Sequence, residues 1–261
     1  MNSLLLSILA NLSADLLLQS RKIAAAKDNL KPTAIILHGA TVFGAILFFL
    51  HGYQWPTLIG YAALISGTHL AIDLFKALIS RAKKPGANLI VLIMDQLLHI
   101  ITVILIWTWF DLRANQDIML FYERIFRVNV LTSFTGNSVN LVRLVPARFL
   151  LGAIVYLYVC SGGAVLIEKF FLWLRKKEEV FVVETDQTGK WIGILERVIV
   201  LSLILNNALG SVAFILTAKS IARFNELSNR DFAEYYLIGT LSSTMLAISG
   251  GFVLNYLLTL V

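Results

Sequence analysis

Charge is scarce in this sequence. Only 15% of its 261 residues are Asp, Glu, Lys or Arg, and 58% are hydrophobic, against roughly 25% and 45–50% in soluble domains. That shortage leaves too little polar surface to coat a water-soluble particle, and the mean hydropathy is +0.78. Cysteine is nearly absent as well: Cys160 stands alone, which excludes an intrachain disulfide and a thiolate metal cluster. Within its apolar run it reads as a small packing residue. Nothing basic precedes Leu4 to Leu18, so the first apolar stretch reads as a retained span and not as a signal peptide. Neither a glycine-rich phosphate loop nor a nucleophile elbow occurs, and the connections are too short for a soluble catalytic domain.

What the sequence does hold is apolar blocks of about 18 residues or more, the length that crosses about 30 Å of hydrocarbon at 1.5 Å per residue. They lack the short alternating strands of a barrel, so helices are what satisfies the backbone in lipid. The expected fold is an all-α, polytopic transmembrane bundle of about seven spans, over residues 3–20, 33–50, 57–80, 87–110, 145–172, 191–217 and 234–260. All four prolines (Pro32, Pro56, Pro85 and Pro146) fall at the breaks, where a helix start tolerates them. The blocks group as a four-helix unit over 1–110, a connection over 111–144 and a three-helix unit over 145–261. Phe121 to Phe126 mixes aromatic and charged residues, which suits an interfacial helix.

The net charge of +6 is not a nucleic-acid footprint, because the basic residues form no single face. They cluster between apolar blocks, at Arg21, Lys22, Lys27 and Lys31, at Arg81, Lys83 and Lys84, and at Arg175, Lys176 and Lys177. Those clusters follow the first, third and fifth spans. The positive-inside rule then puts the amino terminus outside and the carboxyl terminus in the cytoplasm. Trp55, Trp107, Trp109, Trp173 and Trp191 lie near span ends, as anchors at the headgroup level.

The informative residues are those that do not belong in hydrocarbon. The first span carries Asn11, Asp15 and Gln19 at four-residue spacing, the second His38, the third His69, Asp73 and Lys76, and the fourth Asp95, Gln96 and His99. Each set falls on one helical face. Asp15 lies six residues before Arg21, His38 seven after Lys31, Asp73 eight before Arg81 and Asp95 eleven after Lys84. All therefore sit about 9–17 Å from the basic loops, although alternate spans run in opposite directions. An ionised side chain at the bilayer centre costs at least about 2.5–3.5 kcal/mol, so such a set belongs around one shared cavity. His69 with Asp73, and Asp95 with His99, place an imidazole beside a carboxylate. With His38 and Asp15 they offer a nitrogen and oxygen shell suited to a divalent metal, Zn, Mn or Fe, with donors enough for two ions. Lys76 and Gln19 would be supporting groups or phosphate contacts. The same residues would also serve a proton or cation pathway, or a network that clamps helices together.

This pattern resembles a bacterial family of uncharacterised integral membrane proteins, known only as a domain of unknown function. The likeness rests on Asn11, Asp15, Gln19 and Lys22, then His38, then His69-x3-Asp73-x2-Lys76, then Asp95-Gln96-x2-His99, over roughly residues 4–110. In that family the position of Asn11 is often histidine; asparagine removes one strong ligand. The blocks Gly189 to Arg197, Ala218 to Phe224 and Glu234 to Ser243 look like longer members. The resemblance implies a multi-pass protein of the bacterial cytoplasmic membrane and no particular chemistry.

In the second half, Glu196 and Arg197 open the sixth span, and Asn206 with Asn207 lies inside it. Lys219 and Arg223 sit at its far end, within reach of Glu226, Glu234 or lipid phosphates. Gly239, Thr240, Ser242, Ser243, Ser249, Gly250 and Gly251 give the last span small residues for close helix contact. Three functions are compatible with this reading. The first is a metal-dependent hydrolase or phosphotransferase acting on a lipid-like substrate, with Asp15 or Asp95 as base and Lys76 stabilising charge. The second is an ion- or proton-coupled transporter or channel. The third is a non-catalytic assembly protein. The lipid bilayer is the expected partner, with a homo-oligomer or a membrane partner beside it and no nucleic acid.

Overall fold

A computed structural model describes residues 1–81, 88–126, 146–174 and 187–261. The described residues form helices, with one isolated antiparallel bridge between Tyr53 and Ala114. Five helical stretches are long and apolar enough to cross a membrane: Pro32–Phe49, Trp55–Ile79, Leu89–Trp109, Ala147–Leu174 and Arg230–Thr259. A sixth arises if the bent pair Asn2–Leu18 and Arg21–Asp28 counts as one span. The chain divides into two compact units, Met1–Lys84 with Ile90–Ile154, and Pro85–Leu89 with Val155–Val261.

In the first unit, α1 (Asn2–Ser13) runs into a π-helical turn, Ala14–Leu18, and breaks at Gln19 and Ser20, whose backbones are extended. The chain then bends by 98° into α2 (Arg21–Asp28). The first expected segment, 3–20, thus gives way to a sharp corner at its polar end. Ser20 makes that corner work, its hydroxyl accepting from the Ile23 amide at 3.3 Å as an N-cap does. Helix α2 closes with Leu30 at φ 55° and the Lys31 amide bonded back to the Ala26 carbonyl, a Schellman closure. Pro32 then opens α3 (Pro32–Phe49), where its missing N–H is no loss.

Helix α3 packs on α1 and on α4 (Trp55–Arg81), and α2 lies against both α3 and α4. Ser66 Oγ donates to the Gly39 carbonyl at 2.7 Å, and a Cβ on Gly39 would stand 2.6 Å from Leu70. Glycine there lets α3 and α4 approach at the level of His38 and His69. Helix α5 (Asn88–Trp109) joins through side chains, with Trp107 Nε1 donating to Ser3 Oγ at 2.9 Å. Beyond it α6 (Gln116–Phe126) is amphipathic, with Met119 buried and Phe121 and Ile125 exposed. It is tied down by the His51 Nε2 to Tyr122 hydroxyl contact. This α6 covers the residues expected to form an interfacial helix; 127–145 of the same connection lie outside the described residues.

Helix α7 (Ala147–Leu157), which enters the second unit at Val155, continues through a π-turn, Tyr158–Gly162, into α8 (Gly163–Leu174). The expected sixth span is two helices, α9 (Gln187–Leu205) and α10 (Leu209–Ala222). The break falls on Asn207 at φ 55°, a left-handed conformation that asparagine tolerates better than most residues. Asn206 therefore needs no partner on another helix: its side chain bonds back to the Ser202 carbonyl at 2.8 Å. Helix α11 (Arg230–Thr259) packs tightly on α9. A Cβ on Gly251 would lie 2.6 Å from Ile204 Cγ2 and one on Gly250 2.5 Å from Val159 Cγ2. Of the small residues expected to allow close contact, Gly251 and Ser243 meet α9, Gly250 meets the π-turn, Gly239 meets Phe171 of α8 and Ser249 is exposed; the core between the helices is Val159, Val200, Ile204, Val212 and Ala247.

Candidate metal centre

Four-residue spacing runs the whole length of the first segment, through Ser3, Ser7, Asn11, Asp15 and Gln19, and every member reaches another helix or the site. Ser3 receives Trp107, Ser7 Oγ receives the Tyr61 hydroxyl at 2.8 Å, Asn11 Oδ1 meets His69 Nδ1 at 2.9 Å, and Gln19 Nε2 meets His38 Nδ1 at 3.3 Å. The π-turn lies under Asp15, where the wider turn re-aims a side chain relative to an α-helical register. Asp15 then points between the imidazoles of α3 and α4.

Four donor atoms converge at that point. His38 Nε2 and His69 Nε2 are 2.9 Å apart. Asp15 Oδ1 is 3.2 Å from the first and 3.3 Å from the second, and Asp73 Oδ2 is 3.4 Å from each. Donors held at about 2.0–2.1 Å around a tetrahedral ion lie about 3.3 Å from one another. Each carboxylate oxygen therefore stands at the spacing of a donor that shares an ion with the two imidazoles. The outer contacts match such a shell too, since each ring offers its other nitrogen to an amide, Gln19 or Asn11, and metal-binding histidines are oriented this way.

Asp73 is shared. Its Oδ2 also accepts from Lys27 Nζ at 2.7 Å, while its Oδ1 faces His99 Nε2 and Lys76 Nζ, both at 3.9 Å. Lys76 Nζ donates to Asp95 Oδ2 at 2.9 Å. The His99 ring stacks on His69 with centroids 4.0 Å apart and planes 19° from parallel. All of these donors except Asp15 and Lys76, which are half-buried, are buried. Buried His and Asp groups here can hold a metal ion, in the sets Asp15–His69–His99, His38–His69–Asp73 and Asp73–Asp95–His99.

Of the residues singled out in the sequence, Asn11, Asp15, Gln19, His38, His69, Asp73, Lys76, Asp95 and His99 come together. Gln96 stands beside Asp95, half-buried, outside the hydrogen-bonded set. Lys27 is the residue the sequence reading missed. It counted as a loop charge, yet it is 4% exposed and pairs with Asp73. Its signal was the run Ile23-Ala24-Ala25-Ala26, an apolar stretch too short to span and long enough to carry a lysine inward.

The polar residues of the second half lie in the other unit. Arg197 is buried, donating to Ser243 Oγ at 2.9 Å and to the Cys160 carbonyl, in the π-turn, at 2.8 Å. Lys219 pairs with Glu196 at 2.6 Å, Arg223 with Glu226 at 3.1 Å, and Glu234 with Arg230 at 3.0 Å. No curated protein and no solved structure matches the chain. Residues 3–126 match the family described as Protein of unknown function (DUF3307). The three second-half blocks fall outside that match, whereas every donor of the cluster falls inside it.

Proposed function

We propose that the chain is a multi-pass protein of the bacterial cytoplasmic membrane and a metal-dependent hydrolase or phosphotransferase, acting on a lipid-like substrate that carries phosphate or ester groups. The observation that carries this reading is that Asp15 Oδ1 and Asp73 Oδ2 each lie 3.2–3.4 Å from both His38 Nε2 and His69 Nε2, which are themselves 2.9 Å apart. A divalent ion held by these donors, Zn, Mn or Fe, would supply Lewis acidity toward a phosphoryl or carbonyl oxygen that joins as a further ligand. The protein's own contribution is charge and orientation. Asn11 and Gln19 fix the rings, Lys27 holds Asp73, and Lys76 holds Asp95 while keeping part of its surface exposed.

The basic clusters after the first, third and fifth segments support an outside amino terminus and, over the seven segments expected from the sequence, a cytoplasmic carboxyl terminus. In that orientation the cluster lies toward the cytoplasmic leaflet. The corner at Gln19 and Ser20 would then let α2 run along the interface, beside the site, where an amphipathic headgroup arrives. Phosphate release from phosphate-bearing lipids by the detergent-purified chain tests this. Turnover should require added divalent ion and vanish in Asp73→Asn; turnover that ignores both would contradict it.

A second reading rests on the ion pairs. Lys27 and Lys76 already neutralise Asp73 and Asp95, which leaves Asp15 facing the two imidazoles. One proton shared by that trio would complete the charge balance, as in a proton-coupled transporter. Proteoliposome flux that depends on Asp15 and His38, without lipid turnover, would favour it.

A further inference from the structure

Two buried donor atoms in the first unit remain unused by the group around His38 and His69. His99 Nε2 and Asp95 Oδ1 make no hydrogen bond with the described residues, although their side chains are only 2% and 3% exposed. A buried polar atom without a partner is costly and rare. The two face each other at 3.5 Å, too far for the bond a protonated imidazole would make to a carboxylate. Asp73 Oδ1 completes the group at 3.9 Å from His99 Nε2. These separations suit donors at about 2.1 Å from a shared cation with angles of roughly 110–140°. The remaining oxygens are already committed, Asp95 Oδ2 to Lys76 and Asp73 Oδ2 to Lys27 and the first shell.

We infer that the cluster holds two divalent ions bridged by Asp73, the second between His99, Asp95 and Asp73, and that this second ion enters together with a dianionic phosphate group. The inference rests on the metal reading proposed above and adds the second ion and the substrate class. The stacked rings of His69 and His99, 4.0 Å apart, set two ions at the separation of about 3.5–4 Å found in two-metal phosphoryl-transfer sites.

Charge selects the phosphate. Asp15, Asp73 and Asp95 against Lys27 and Lys76 leave the site one negative charge. A single divalent ion reverses that to one positive, which a hydroxide can balance. A second raises it to three positive, which in a buried site calls for a hydroxide and a doubly charged anion together. The first ion would have four protein donors and the second three. A phosphate oxygen has its place there. The substrate class is a phosphate monoester or diphosphate at a lipid headgroup.

Titration of the detergent-purified chain with Mn²⁺, followed by electron paramagnetic resonance with and without inorganic phosphate, tests this. Two ions per chain with a spin-coupled signal in the presence of phosphate, and one uncoupled ion in its absence, are expected. His99→Gln and Asp95→Asn should each return the phosphate-containing sample to one uncoupled ion. One uncoupled ion with or without phosphate in the unsubstituted chain would overturn the second site and leave the first intact. No bound ion in either condition would overturn both. Because His99→Gln keeps the ring's volume and polarity, loss of the first ion in that variant would show that the two sites are not separable, and would also count against the inference.

Discussion

His38 and His69 meet nitrogen to nitrogen, 2.9 Å apart, each ring held from behind by an amide of the first segment, Gln19 in one case and Asn11 in the other. Neither histidine is on the first helix, yet both take their orientation from it. Asn11→Leu should leave the four donors in place and free the His69 ring to rotate. Metal affinity should fall about 10–100-fold, read by competition with a chromophoric chelator. An unchanged affinity would mean that Asn11 packs and does not orient.

Lys27 presents the opposite case, because it favours folding and opposes the ion. Without metal, Lys27→Met leaves the buried carboxylate of Asp73 short of its cation, a loss on the order of 3–5 kcal/mol. With metal, the same change removes a like charge beside the ion. Lys27→Met should therefore melt lower than the unsubstituted chain in chelator and gain more on adding Zn²⁺. Equal gains in the two proteins would contradict the placement of Lys27 at the site.

Much of this cluster is legible in the sequence, and the reason is periodicity. His69, Asp73 and Lys76 on α4, and Asp95 and His99 on α5, fall on single faces by spacing alone, and their distance from the basic clusters brings them to one level. Lys27 was hidden because positive-inside logic absorbs any lysine near a span end. The 98° corner was hidden because two extended residues, Gln19 and Ser20, at the polar end of an apolar stretch read as an ordinary span end. Ser3 and Ser7 extend the spacing of Asn11, Asp15 and Gln19, but serines in a span are ordinary and drew no notice. In the second half, Asn206-Asn207 looked like polar residues within a span; the left-handed backbone at Asn207 makes them a helix break. The pairing of Glu196 with Lys219, 23 residues apart, becomes readable only once α10 is known to depart from α9 there.

The seam between α9 and α11 yields a prediction independent of metal. Gly251→Ala places a methyl group 2.6–2.7 Å from Ile204, so the helices must move apart. A loss of about 1–3 kcal/mol is expected, measured by thermal unfolding in detergent, with metal stoichiometry unchanged. A variant as stable as the parent would show that the seam has slack.

Arg197 should resist its conservative replacement. Its guanidinium reaches Ser243 and the Cys160 carbonyl at once, and Gly163 and Gly193 leave space for it, with a Cβ on either falling 3.2–3.3 Å from its nitrogens. A lysine keeps the charge and loses the fork. Arg197→Lys should lower stability by about 1–2 kcal/mol, again by thermal unfolding, whereas a neutral result would reduce Arg197 to packing.

X-ray absorption at the zinc edge addresses the four-donor shell most directly. For the purified chain loaded with one equivalent of Zn²⁺, the account predicts four light donors at about 2.0–2.1 Å. Outer-shell scattering should indicate two imidazoles, falling to one in His38→Ala. A six-oxygen shell without imidazole scattering, unchanged by that substitution, would contradict it.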